Sequence, residues 1–142
     1  MAQTIKEGEE RLMSLLKAVV VGVRAEDGLG AALSRCYAAN GHHVLVAGRT
    51  LEKVEKVAAA IRRGGGRAAA HAVDATREED VIHLFDAAMA NDENGRPADL
   101  VTHNVGLNQK IDFRQTEAST FEDFWRLNTR SEEHTSELQS PA

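Results

Sequence analysis

One cysteine, Cys36, is all the sequence holds, so no internal disulfide framework can form and a reducing, cytoplasmic compartment is expected. No apolar run is long enough to span a bilayer, and Met1 to Ser14 is mixed in charge, without the apolar centre of a secretory signal. Positive charge is not in excess. The formal charge of −5 at pH 7 gives no basis for a nucleic-acid or acidic-membrane partner. Metal-ligand spacing is missing too, since the six histidines are scattered except for adjacent His42 and His43. A metal site needs three or four converging ligands. There is no internal repeat or low-complexity stretch.

What is there fits one domain. The 142 residues are 42% apolar, enough for a core. The chain is organised around Lys17 to Gly41. Lys17-Ala18-Val19-Val20-Val21-Gly22-Val23 is an apolar, β-branched run without polar alternation, as in a strand buried on both faces. Gly28-Leu29-Gly30 follows, then a helix with Leu29, Ala32, Leu33, Cys36 and Tyr37 at helical spacing, which places Cys36 in the core, and Gly41 closes it. A glycine turn between a buried strand and a helix lets backbone N–H groups and the helix N-terminus meet a diphosphate. A plain strand-to-helix turn is the competing reading.

The pattern then repeats. His43 to Ala47 predicts a second buried strand, and Thr50 caps a helix to about Arg63 with Leu51, Val54, Ala58 and Ile61 inward. Gly64-Gly65-Gly66 ends it, and Arg67 to Val73 predicts a third strand. Thr76 with Glu79 makes a capping box for a helix to about Met89, carrying Val81, Leu84, Phe85 and Ala88. After a polar loop from Asn91 to Pro97, Asp99 to His103 gives a fourth strand, and Ser119 with Glu122 caps a further helix. Alternation of this kind implies an α/β fold: a Rossmann-type, doubly wound parallel sheet of about four strands in the order 3-2-1-4. A ligand belongs at the carboxyl ends of the strands, where the order reverses.

Candidate site residues fall on those strand ends. Gly22, Gly28, Leu29 and Gly30 form the phosphate loop, whose intervening Glu26 and Asp27 suit the helix dipole but repel phosphate unless they face outward. At the end of the second strand, Ala47-Gly48-Arg49-Thr50 lacks the carboxylate that holds NAD ribose hydroxyls. Arg49 beside Thr50 favours an extra 2′-phosphate instead, so NADP is preferred over NAD, with a solvated surface arginine as the alternative. Asp74, followed by Ala75, either accepts from an adenine amino group or serves the turn before Thr76. Asn104-Val105-Gly106 brings backbone to the same edge. Asn128 shares a helical face with Phe121, Phe124 and Trp125 and therefore needs partners, backbone among them.

With these residues collected, the stretch from Ala18 to Thr129 resembles the N-terminal half of the short-chain dehydrogenase/reductase family. Gly22, Gly28 and Gly30 fall on its Gly-x-x-x-Gly-x-Gly loop, with five residues here between the first two glycines. Asp74 matches the acid that contacts adenine. Asn104-Val105-Gly106 is similar to the family's Asn-Asn-Ala-Gly segment, with His103 in the first Asn place. Asn128 matches the asparagine that holds a water in the proton relay, so the resemblance makes it the catalytic residue of this half. Family activity rests on a later Ser and a Tyr-x-x-x-Lys pair, and neither has a match here: the only tyrosine is Tyr37.

Three parts are therefore expected: an extension over 1–16, a partial dinucleotide-binding domain over 17–129, and a tail over 130–142. Met13 offers a second start just before the first strand. The tail, RSEEHTSELQSPA, lacks apolar periodicity and resembles a translated sequencing-library adapter, which makes the chain an expected truncated product with an incomplete oligomer interface. The resemblance implies an NAD(P)-dependent oxidoreductase acting on a small carbonyl or alcohol, homo-oligomeric when whole, with this chain its cofactor-binding part. A non-catalytic nucleotide-sensing or interaction module is the alternative. An S-adenosylmethionine-dependent methyltransferase fits less well, because it wants an acid where Gly48-Arg49 stands.

Overall fold

The computed structural model describes residues 2–13, 16–107 and 110–130. Of the expected tail, 131–142 lies outside the described residues. Strands β1 (Lys17–Val21), β2 (His43–Gly48), β3 (Arg67–Ala72) and β4 (Leu100–His103) form one parallel sheet in the order β3-β2-β1-β4, as expected. Helices α1 (Ala2–Met13), α2 (Leu29–Ala39), α3 (Leu51–Arg63), α4 (Glu78–Met89) and α5 (Ala118–Trp125) complete it, α5 running on into a π turn over Arg126–Arg130. Among the described residues, no helix is long and apolar enough to cross a membrane.

Both faces of the sheet are covered, which is why its strands read as unbroken apolar runs. Val20, Val44, Val46 and Ala68 pack with Ala31 of α2 and with Val54, Val57, Ala58 and Ile61 of α3. The alternate residues Val19, Val21, Leu45 and Ala47 pack on the other face with Leu84 and Ala88 of α4. The period-two alternation of strand side chains thus divides one sequence between two cores.

Several expected details are corrected. The buried residues of α2 are Gly30, Ala31 and Ser34; Leu29 is 64% exposed and Cys36 lies on the surface rather than in the core. The reason is close packing. A Cβ built on Gly30 would sit 3.1 Å from Val23 Cγ2, so the helix presents its smallest side chains inward. In α3, Val57 takes the inward place expected of Leu51, which is exposed. The predicted side-chain caps do not form. Thr50 is the N-cap residue of α3 without a cap bond; α4 begins after Arg77 and α5 after Glu117. The Thr76 hydroxyl turns back to Asp74 Oδ1 at 2.6 Å, and Glu78, Glu79 and Asp80 in the first turn of α4 complement the helix dipole instead. On α5, Phe121 stays 69% exposed, so the aromatic stripe is open within this chain.

One charged side chain sits inside. Lys17, 1% exposed at the start of β1, reaches the end of α4. Its ammonium donates to Ala90 O at 2.8 Å and pairs with Asp92 Oδ1 at 3.0 Å, capping the carbonyl end of that helix. Lys17→Ala leaves those acceptors unmatched and is expected to cost about 2 kcal/mol in urea unfolding. A change below about 0.5 kcal/mol, the range of an ordinary surface substitution, contradicts this role.

Two histidines resist protonation. Burial pushes the pKa of His43 down, aided by the charges of Arg67 and Lys17, and burial alone pushes down that of His71. The folded chain therefore binds these protons less readily than the unfolded one. Their contribution is complete above the ordinary histidine value of 6.5 and is lost as pH falls through the depressed folded values. Melting temperature is expected to fall between pH 7.5 and pH 5.5, and His71→Gln should flatten that slope; a flat wild-type profile refutes it.

Candidate functional site

The site begins where β1 ends. Gly22 has φ +97°, and a Cβ there would lie 2.3 Å from Asn104 O, so no side chain fits between the exits of β1 and β4. The two exits are tied: Asn104 N donates to Val21 O at 2.8 Å, and Asn104 Nδ2 to Gly22 O at 3.4 Å. Toward β2, Gly22 N and Val23 N both donate to Ala47 O at 2.9 Å. Gly48 lies so close to Val23 O that a Cβ would meet it at 2.2 Å, and Val73 N donates to Gly48 O, bringing the end of β3 into the same lattice.

This arrangement leaves a cavity of about 270 Å³ across the carboxyl ends of the strands. Of the expected residues, Gly22, Arg49, Thr50, Asp74, Ala75 and Val105 line it together. Asn104, Gly106 and Asn128 border a neighbouring hollow of about 320 Å³ with His103 and Leu107, and Val105 belongs to both walls. The remaining residues, Gly28, Leu29 and Gly30, border neither. They form the start of α2, where Gly28 is an N-cap without a side-chain bond and the first-turn amides have no acceptor within the helix. With its side chain in solvent, Leu29 can offer a ligand its backbone N–H.

Sequence reasoning missed the cations Arg24 and Lys53 in the cavity wall. Lys53 was findable: it follows Arg49 by four residues, across the first turn of α3. Among the described residues, neither Arg49 nor Lys53 belongs to any of the ion pairs. Glu26 and Asp27 face solvent and stay out of the cavity wall. Among the described residues, Asp74 is the one acid in its wall. Burial raises the Asp74 pKa, but hydrogen bonds from the Thr76 hydroxyl and N–H, with Arg49 and Arg77 nearby, outweigh burial and hold it below the ordinary carboxylate value. The turn reading of Asp74 is thus met, and the residue also lines the cavity.

Asn128 is exposed rather than buried, and its amide is fully engaged. Its Oδ1 accepts from Leu107 N at 2.9 Å, while Nδ2 donates to Phe124 O at 3.0 Å and Leu107 O at 3.3 Å. It fastens the segment after β4 to the end of α5. Tyr37 is not at this edge. Its hydroxyl shares a 2.8 Å hydrogen bond with Thr102 Oγ1, joining α2 to β4.

A strand-glycine-helix entry, a 3-2-1-4 parallel sheet and a crevice at the point of reversal define a dinucleotide-binding α/β fold. The family model described as short chain dehydrogenase matches residues 17–142, and the chain belongs to that family. It is 38% identical over 104 residues to the uncharacterized oxidoreductase YuxG of Bacillus subtilis, covering 71% of this chain and 14% of that one. A hydroxysteroid dehydrogenase from Escherichia coli superposes with a TM-score of 0.78 at 26% identity, covering 89% of this chain and 53% of that structure. A 7 alpha-hydroxysteroid dehydrogenase solved with NADH and 7-oxo glycochenodeoxycholic acid gives 0.77 at 26% identity, covering 89% and 48%. The chain spans about half of each solved relative.

The close approach at Gly22 can be separated from backbone strain. Gly65 also has positive φ (+86°) but has open space around it. Gly65→Ala is expected to cost about 1 kcal/mol and Gly22→Ala about 3, since the second adds a backbone clash to the same strain. Equal unfolding midpoints for the two variants would mean that β4 does not press on Gly22.

Proposed function

We propose that the protein containing this chain is an NAD(P)-dependent oxidoreductase of the short-chain dehydrogenase type, with NADP preferred. The observation that carries this reading is the cavity floored by Gly22 and walled by Arg49, Lys53 and Asp74. A dinucleotide suits it: the glycine leaves backbone open to phosphate, the start of α2 offers amides, and the wall holds more positive than negative charge. Arg49 and Lys53 supply what a 2′-phosphate needs, and no carboxylate at the end of β2 competes for the ribose hydroxyls. In this reading Asp74 serves the adenine side, and Val105, with Asn104 and Gly106 of the neighbouring hollow, serves the nicotinamide side.

When bound, the nicotinamide supplies or accepts the hydride exchanged with a carbonyl or alcohol carbon. This chain's residues bind and orient. Asn128 acts as a positioning residue through Leu107, and its family role in a proton relay awaits a proton donor. Neither the Ser nor the Tyr-x-x-x-Lys pair has a match here, so the general acid belongs to the rest of the protein. The chain by itself is a cofactor-binding part without turnover. Exposed Phe121 and Trp125 support a homo-oligomeric whole protein, since an open aromatic face seeks a partner surface. The lone cysteine fits a reducing cytoplasm.

Fluorescence titration of the full chain with NADPH and NADH tests the cofactor reading. NADPH is expected to bind more tightly, and Arg49→Gln to weaken NADPH about tenfold while leaving NADH nearly unchanged. Tighter NADH binding by the unaltered chain overturns the preference.

A further inference from the structure

The loop between Gly22 and Gly28 carries three charged residues, and they part company. All three are solvent-exposed, but Glu26 and Asp27 stand outside the cavity wall, whereas Arg24 lines it with Gly22, Arg49 and Val105. The Arg35 guanidinium holds the outward side of the loop by donating to Glu26 O at 2.9 Å. On the inward side, Arg24 Nη2 donates to Gly106 O at 3.3 Å, a link across 82 residues. That link joins the segment after β1 to the segment after β4, the two walls of the crevice where strand order reverses. An extended dinucleotide lying across that crevice has to pass under or through it.

Building on the dinucleotide reading, we propose that Arg24 is a strap over the crevice: it rests on the Gly106 carbonyl in the free chain and transfers its guanidinium to the linking diphosphate when nucleotide binds. The exchange is favourable on chemical grounds. A guanidinium held by one neutral carbonyl at 3.3 Å gains a charge-assisted, two-oxygen partner in a diphosphate. The neighbouring cations divide the ligand: Arg49 follows β2 and Lys53 lies in the first turn of α3, on the ribose side, and Arg24 lines the cavity with Gly22 and Val105, on the phosphate side. The long glycine loop thereby acquires a purpose, because it places a cation where backbone amides otherwise act alone.

The test titrates the full chain and its Arg24→Gln, Arg24→Lys and Arg49→Gln variants with three probes. ADP-ribose carries the diphosphate without a 2′-phosphate, adenosine 2′-monophosphate carries the reverse, and NADPH carries both. Arg24→Gln is expected to weaken ADP-ribose and NADPH about tenfold and to leave adenosine 2′-monophosphate unchanged, with Arg24→Lys restoring part of the loss. Arg49→Gln should give the opposite pattern on the two partial probes. Wild-type affinity for ADP-ribose in Arg24→Gln, with an unchanged melting temperature, overturns the strap while leaving the cofactor reading intact. If the unaltered chain binds none of the three probes, both fall together.

Discussion

The approach of two backbones at the end of the sheet governs the rest of this chain. Asn104 O stands where any side chain on residue 22 would have to go, and its amide and side chain both bond back to the end of β1. Glycine there lets β4 lie beside β1, and that pairing turns a run of strands β1 to β3 into a doubly wound sheet with a reversal point. Gly48 repeats the device toward β2 by admitting Val23 O. Main chain, rather than side chains, therefore forms the floor of the crevice, and exposed main chain is what a phosphate recognises.

Charge is arranged around that floor with little waste. Acids of the glycine loop face solvent, Glu78, Glu79 and Asp80 sit on the start of α4, and the single acid among the described residues of the cavity wall is held by Thr76 and nearby arginines. Arg24, Arg49 and Lys53 line the same cavity. At the far end of the sheet, Lys17 closes the carbonyl terminus of α4 and fixes that helix under β1.

Strand content was legible because a strand covered on both faces is apolar through its centre, as residues 18–21 of β1 and 44–47 of β2 are. Helix faces were legible only where large residues do the packing, as with Val81, Leu84, Phe85 and Ala88 in α4. In α2 the packing face is Gly30, Ala31 and Ser34, and counting bulky residues selects the solvent side. Thr76 was misassigned as a cap because its hydroxyl donates to Asp74 Oδ1 instead of accepting from a first-turn N–H of α4. Of the residues that line the cavity, Gly22, Arg49, Thr50 and Asp74 could be read from their position after a strand. Arg24 could not, because its contact with Gly106 spans most of the domain. The tail from Ser131 onward lies outside the described residues.

Function follows from where these features meet. The family model assigns the chain to the short chain dehydrogenases, and the part proposed for it within that family is to hold and orient a dinucleotide at the crevice. Amide chemical-shift mapping of the full chain on addition of NADPH tests that placement most directly. Perturbations are expected to gather at Gly22–Ala31, Arg49–Lys53, Asp74–Ala75 and Asn104–Gly106. A map centred instead on the groove between α2 and α3 around Arg35 and Gly64–Gly66, with the Gly22 loop silent, would contradict it.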